Sequence, residues 1–197
     1  MKIEANNIYH LYNRGNNKQD IFFNDDNYVY FLKGIRKRLL PVCEILNYTL
    51  MPNHFHFLIR PNLKATKVPK LSNHLKMNNF SIAIKNQLSS YTKAINNQEK
   101  RSGSLFQQRT KTKLVSSENL KDDYSGWCFI YIHNNATNAK MVSHPKDWKY
   151  SSYLDYAGLR NGTLCNMKLA HELLRINENK LLDFDGVMKE EVIKHIF

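Results

Sequence analysis

Apolar and polar residues alternate through residues 8–14 (IYHLYNR), the period of two that marks a half-buried strand, and Gly15 closes it. A polar stretch follows, after which Asp25 or Asp26 can cap a helix over about 26–40. That helix collects Tyr28, Phe31, Leu32 and Ile35 on one face, and Pro41 ends it. Residues 42–51 (VCEILNYTLM) and 54–60 (HFHFLIR) read as two further strands joined by a tight turn at MPN. Helical spacing returns over 71–98, where Leu71, Leu75, Phe80, Ile84, Leu88, Tyr91 and Ile95 recur. A polar, basic loop spans 99–110, a short strand 111–115, and a last core helix 118–135 capped by Ser116 or Ser117. The order β-α-β-β-α-β-α predicts a ferredoxin-like α+β fold with an antiparallel sheet and one extra helix. Residues 1–142 form the predicted domain. Residues 143–197 form a mostly helical C-terminal extension packed on it, with helices at LAHELLR and MKEEVIKHIF.

Composition narrows the partners. Seven glycines and five prolines in 197 residues exclude a fibrous or low-complexity chain, and ten Phe with eleven Tyr supply one packed core. The net charge of +12 is the electrostatic footprint of a protein that meets phosphates. Cys43, Cys128 and Cys165 lie far apart without a CxxC pair and are expected to be reduced thiols. No apolar run is long enough for a membrane span, so a cytoplasmic protein without a membrane partner is expected.

The sharpest chemical signal is the strand His54-Phe55-His56-Phe57. Side chains two apart in a strand share a face, about 6.6 Å apart along it. His54 and His56 therefore project together while Phe55 and Phe57 face the core, and two such imidazoles can share a divalent ion. Leu58 and Ile59 exclude both the HxHxDH and the HxHxH hydrolase patterns, no HExxH occurs, and no cysteine pair completes a zinc site. The second signal is Tyr131-Ile132-His133-Asn134-Asn135, in which Tyr131 and Asn135, four apart on a helix, look at one point. A phenol suits reversible phosphodiester cleavage, because its aryl phosphate keeps a good leaving group. Taken alone, a tyrosine in an apolar run such as WCFIYI is usually a core residue.

Five segments in order over about 9–158 carry a resemblance: YNRGNNKQDIF, MPNHFHFLI, GSLFQQR, YIHNN and DWKYSSY. Together they resemble the REP-associated tyrosine transposases, relatives of the small single-tyrosine, HUH-type insertion-sequence transposases. The resemblance implies that residues 1–142 are an HUH-type catalytic domain. It implies a divalent metal, Mg²⁺ or Mn²⁺, held by His54 and His56 and completed by Asn135, and a nucleophilic Tyr131. The implied activity is cleavage and rejoining of single-stranded DNA beside hairpins formed by palindromic repeats, through a 5′-phosphotyrosine link and a free 3′-OH. Dimers with exchanged catalytic helices occur among the insertion-sequence relatives, so a homodimer in which Tyr131 serves a neighbouring subunit's histidines is compatible with the sequence. The family pattern has Pro and Gly where this chain has Ala136 and Lys140, which leaves the helix end and the turn after it open.

Asn13 and Arg14 are candidate DNA contacts or a simple strand end, and Arg101, Arg109, Lys111 and Lys113 form a candidate phosphate track. Two other readings remain: a non-catalytic nucleic-acid-binding module on the same scaffold, and a metal-dependent hydrolase of small phosphoesters. The second leaves the basic charge unexplained.

Overall fold

A computed structural model describes residues 1–70, 77–116, 124–174 and 194 of the chain. Strand β1 (Ile8–Arg14) is followed by a short 3-10 turn and by helix α1 (Asp25–Arg38). Asn24, in extended backbone, caps α1 by accepting from the Asn27 amide at 3.1 Å. Asp25 and Asp26, expected as caps, instead occupy the first turn, where their charge complements the helix dipole. Strands β2 (Cys43–Met51) and β3 (His54–Pro61) form the hairpin over Pro52 and Asn53. A four-residue helix α2 (Leu63–Thr66), not expected from the pattern, is capped by Asn62. Helix α3 (Asn79–Gln98) is capped by Asn78, whose side chain accepts from Ser81 N at 2.9 Å. Residues 71–76 of the predicted helix lie outside the described residues. Strand β4 (Lys111–Ser116) completes the sheet in the order β2-β3-β1-β4, with every neighbouring pair antiparallel. This is the ferredoxin-like order: α1 and α3 each connect two strands that flank a third.

The last core helix departs from expectation. Helix α4 runs only over Ser125–His133, starting after Tyr124 with no side-chain cap, and Asn134 breaks it before a four-residue helix α5 (Asn135–Asn138). Ser116, one of the two expected caps, ends β4; Ser117 lies outside the described residues, as does the rest of 117–123. Beyond it come α6 (Tyr153–Tyr156) and α7 (Met167–Leu174), the latter covering most of the predicted LAHELLR helix. Apart from Lys194, the predicted MKEEVIKHIF helix lies outside the described residues.

The pleat sorts side chains to two faces. Leu11, Phe55, Phe57 and Ile59 pack with Phe31 and Ile35 of α1 and Phe80 and Tyr91 of α3, all buried. Ile8, Leu46, Leu58 and Val115 pack on the opposite face against Cys128, Phe129 and Ile132 of α4 and Ala170 and Leu174 of α7. A bulge between Ile45 and Asn47 lets Asn47 meet α4, where its amide donates to Phe129 O at 2.9 Å.

Residues 148–156 cover the outer edge of β2. Leu50 N donates to Tyr150 O, Ser152 N to Tyr48 O, and the Trp148 indole to Leu50 O. The Tyr156 hydroxyl donates to Leu46 O. An edge strand's unpaired groups are thereby satisfied within the chain. Arg160 grips the buried Asp155 through two nitrogens, at 2.7 and 2.9 Å, and donates to the carbonyls of Lys149 and Ser151. His133 belongs to this seam: it is buried, its Nε2 lies 2.9 Å from Ser152 Oγ, and burial holds its imidazolium down to about 3.

The helix end left open by Ala136 and Lys140 is formed. Ala136 is fully buried, Met141 N bonds Ala136 O at 3.0 Å, and Lys140 takes φ +56°. A non-glycine residue there carries a strain of about 1–2 kcal/mol, against which a glycine's greater unfolded-state freedom costs about 0.5–1. Lys140→Gly is expected to stabilise the fold by up to about 1 kcal/mol in urea denaturation with an unchanged m-value.

Candidate active site

Antiparallel pairing of β1 with β3 places Tyr12 opposite His56 and Arg14 opposite His54, on the face that α4 covers. His10, Tyr12 and Arg14 alternate along β1 as His54, His56 and Leu58 do along β3, so one patch of pleat carries all of the site's strand-borne groups. The β2–β3 turn that begins this patch is anchored from outside: Gly15 N donates to Asn53 O at 2.8 Å, and Ile21 N and Phe22 N both donate to Pro52 O. A side chain at residue 15 would put its Cβ 2.1 Å from Gln19 O, so Gly15 is required by close approach.

Helix α4 brings Tyr131 over the histidines. Its ring stands edge-on to His56 with centroids 5.7 Å apart, and its side chain hydrogen-bonds that of Asn135. The break at Asn134 does not undo this alignment, because Asn134 N still bonds Ile130 O at 3.0 Å and Asn138 N bonds Asn134 O at 2.8 Å. Tyr131 and Asn135 thus share a face although they sit on consecutive helices.

The two histidine rings lie 5.0 Å apart and nearly perpendicular. Burial, above all, keeps both imidazoles below their ordinary range. For His54 the Asn135 hydrogen bond opposes this and the Arg14 charge adds to it; for His56 the neighbouring His10, His54 and Arg14 add to it. Both are therefore neutral at pH 7 and each carries one N–H. His54 Nδ1 lies 2.5 Å from Asn53 Oδ1, an acceptor that takes this proton. Nε2 is then left with a lone pair, and Asn135 Oδ1 faces it at 3.1 Å. Nε2 and Oδ1 at this distance suit either one hydrogen bond, donated by a protonated Nε2, or two donors to one cation. Donors at right angles, each about 2.1 Å from one six-coordinate ion, stand about 3 Å apart. Among the described residues no three His, Cys, Asp or Glu side chains group to hold a metal, so a site at these histidines would draw its third protein donor from an amide oxygen such as that of Asn135. Two nitrogens and an amide oxygen suit Mg²⁺ or Mn²⁺.

These groups open into a cavity of about 460 Å³ lined by Tyr12, Arg14, His54, His56, Gln107 and Tyr131, with Arg109 and Lys111 at its basic wall. Asn13 also lines it, but its amide is engaged: Nδ2 donates to Gln107 O and Thr110 Oγ1, and Oδ1 accepts from Arg14 N, so the side chain holds the 104–110 loop in place. Lys113 pairs with His10 across β1–β4 and does not line the cavity. Arg101 lies elsewhere, in a groove of about 910 Å³ along α3 that also holds Lys85 and Lys93 and meets the first cavity at Gln107. Trp148, Tyr150, Tyr153 and Tyr156 line neither. Sequence reasoning missed His10, Tyr12 and Gln107. The alternation in YHLYNR puts His10 and Tyr12 on the face of Arg14, but the pairing of β1 with β3 is invisible in a linear pattern.

Burial pushes the Tyr131 phenol up to about 12, the Asn135 hydrogen bond pulling the other way. A phenol at 10 in the unfolded chain and about 12 in the folded one favours folding fully below pH 10 and loses that contribution as pH climbs towards 12. Ultraviolet titration of metal-free protein is expected to show equal phenolate in wild type and Tyr131→Phe below pH 10, with a one-phenol difference emerging near pH 12.

No family model and no curated protein matches the chain. Among solved structures, it is similar in fold to a REP-associated tyrosine transposase bound to a REP hairpin, with TM-score 0.57 over 81% of this chain and 86% of that chain, at 17% identity.

Proposed function

We propose that the chain is a single-tyrosine, HUH-type transposase-like enzyme that cleaves and rejoins single-stranded DNA. The observation that carries this reading is that Tyr131, His54 and His56 line one basic cavity, with Asn135 within hydrogen-bond reach of both His54 and Tyr131. Support comes also from the solved transposase that shares the fold and was captured bound to a REP hairpin.

In the proposed reaction the Tyr131 oxygen attacks the scissile phosphorus, the P–O3′ bond breaks, and the strand leaves with a 3′-OH. The other strand end stays on the enzyme as a 5′-phosphotyrosine, and attack by a 3′-OH reverses the step without an external energy source. A divalent ion bound by His54, His56 and Asn135 would polarise a non-bridging phosphate oxygen and offset the charge of the transition state. Asn135 hydrogen-bonds the phenol and so favours its ionised form. Arg14, Arg109 and Lys111 hold the flanking phosphates, and the groove of Lys85, Lys93 and Arg101 continues that basic surface beyond Gln107.

Incubation with a labelled, hairpin-bearing single strand and Mn²⁺ is expected to give a denaturation-resistant protein–DNA band that EDTA and Tyr131→Phe both abolish. Tyr131→Phe should keep its affinity for the strand. Binding without a covalent band, across several hairpins from DNA flanking the gene and with both metals, would leave a binding module in its place. Arg109→Ala and Lys111→Ala are each expected to flatten the slope of log affinity against log salt by about 0.7, the value for one fewer phosphate neutralised on a single strand.

A further inference from the structure

His10 lies outside the metal-binding and nucleophile set, yet it is the most enclosed polar group of the site: its relative exposure is 0%. Its Nε2 stands 2.8 Å from Nδ1 of His56, and its ring stacks on Tyr12 at 4.6 Å and on His56 at 4.9 Å. One hydrogen bond between two imidazole nitrogens holds one proton, so when each ring carries a single N–H only two arrangements exist. In one, His10 Nε2–H donates to His56 Nδ1, and the single proton of His56 then sits on Nε2, which closes that nitrogen to a metal. In the other, His56 Nδ1–H donates to His10 Nε2, His10 carries its proton on Nδ1, and His56 Nε2 presents a lone pair. His56 Nδ1 cannot itself be the metal donor, since His10 occupies its approach at hydrogen-bond distance.

We infer that His10 is a positioning residue that accepts from His56 Nδ1–H, fixing the tautomer and ring angle in which His56 Nε2 is the metal-binding atom. The inference rests on the metal site proposed above and deepens it. The same device appears at His54, where Asn53 Oδ1 takes the Nδ1 proton and turns Nε2 towards Asn135. The two histidines are thus oriented by different partners. Asn53 comes from the turn and is reached from solvent; His10 comes from the neighbouring strand and is sealed, so the His56 arrangement cannot be replaced by a water-mediated one. Removing such an outer partner typically weakens metal binding about 10- to 100-fold.

Two measurements test this. The first is long-range ¹H–¹⁵N NMR of histidine in the metal-free protein: His56 is expected as the Nδ1–H tautomer, the form less favoured by histidine in water. An Nε2–H His56 would overturn the inference whatever the metal does. The second is Mn²⁺ affinity by electron paramagnetic resonance for wild type, His56→Ala, His10→Phe and His10→Gln, each checked for fold by circular dichroism. His10→Phe should weaken Mn²⁺ about 10- to 100-fold. His10→Gln, whose amide oxygen can accept from Nδ1–H, should recover part of that loss. Equal affinity of His10→Phe and wild type would overturn the positioning role while leaving the metal site standing. Failure of wild type to bind Mn²⁺, or indifference to His56→Ala, would instead remove the metal site on which the inference rests.

Discussion

The register of the β1–β3 pair governs the rest of this molecule. Tyr12 opposite His56 and Arg14 opposite His54 put aromatic, cationic and imidazole groups on one face of the pleat. The same register puts Leu11 beside Phe57 and Asn13 beside Phe55 on the other. A slip of one residue in either strand would exchange the faces, sending imidazoles into the Phe31–Phe80–Tyr91 core and phenylalanines into the cavity. Neither face could tolerate that exchange. The first would be left with buried, unpaired nitrogens and the second with no polar groups. The sheet's packing and its chemistry are specified by one choice of pairing.

Helices on both faces make that choice durable. Helix α4 is needed twice, once for the apolar contacts of Cys128, Phe129 and Ile132 and once for Tyr131. The run WCFIYIH is apolar nearly all round: Cys128, Phe129 and Ile132 meet the sheet, His133 meets the C-terminal segment at Ser152, and Trp127 stays exposed. Asn47 links these roles by holding the Phe129 carbonyl from the bulge of β2. The C-terminal segment, in turn, keeps the outer edge of β2 from pairing with another chain.

Much of this was legible in the sequence, and the exceptions have physical reasons. The strands announced themselves through period-two alternation, and HxH on a strand put its two histidines on one face without further information. Tyr131 and Asn135 share a face by helical spacing even though the helix breaks between them, since a break that keeps the Ile130–Asn134 bond also keeps the angular relation. What could not be read are properties of pairing between distant segments. His10 next to His56 depends on how two strands far apart in the chain align. Asn13 looks like a surface amide until the 104–110 loop folds onto it. Arg101 and Arg109 belong to one polar stretch, yet they face different hollows because the loop between them forms the wall that divides the two. The break at Asn134 carries no glycine or proline to announce it.

That break has a mechanical consequence. His54 and His56 are borne by an interior strand bonded along both sides, the stiffest kind of backbone a small domain offers. Asn135 opens a helix of four residues, a length that does not sustain itself, held by the burial of Ala136 and a few end bonds. At the proposed metal site the three donors would therefore differ in compliance: two would be fixed jaws and the third a sprung one, and a small rotation of α5 would fit ions of slightly different radius while the imidazoles kept their places.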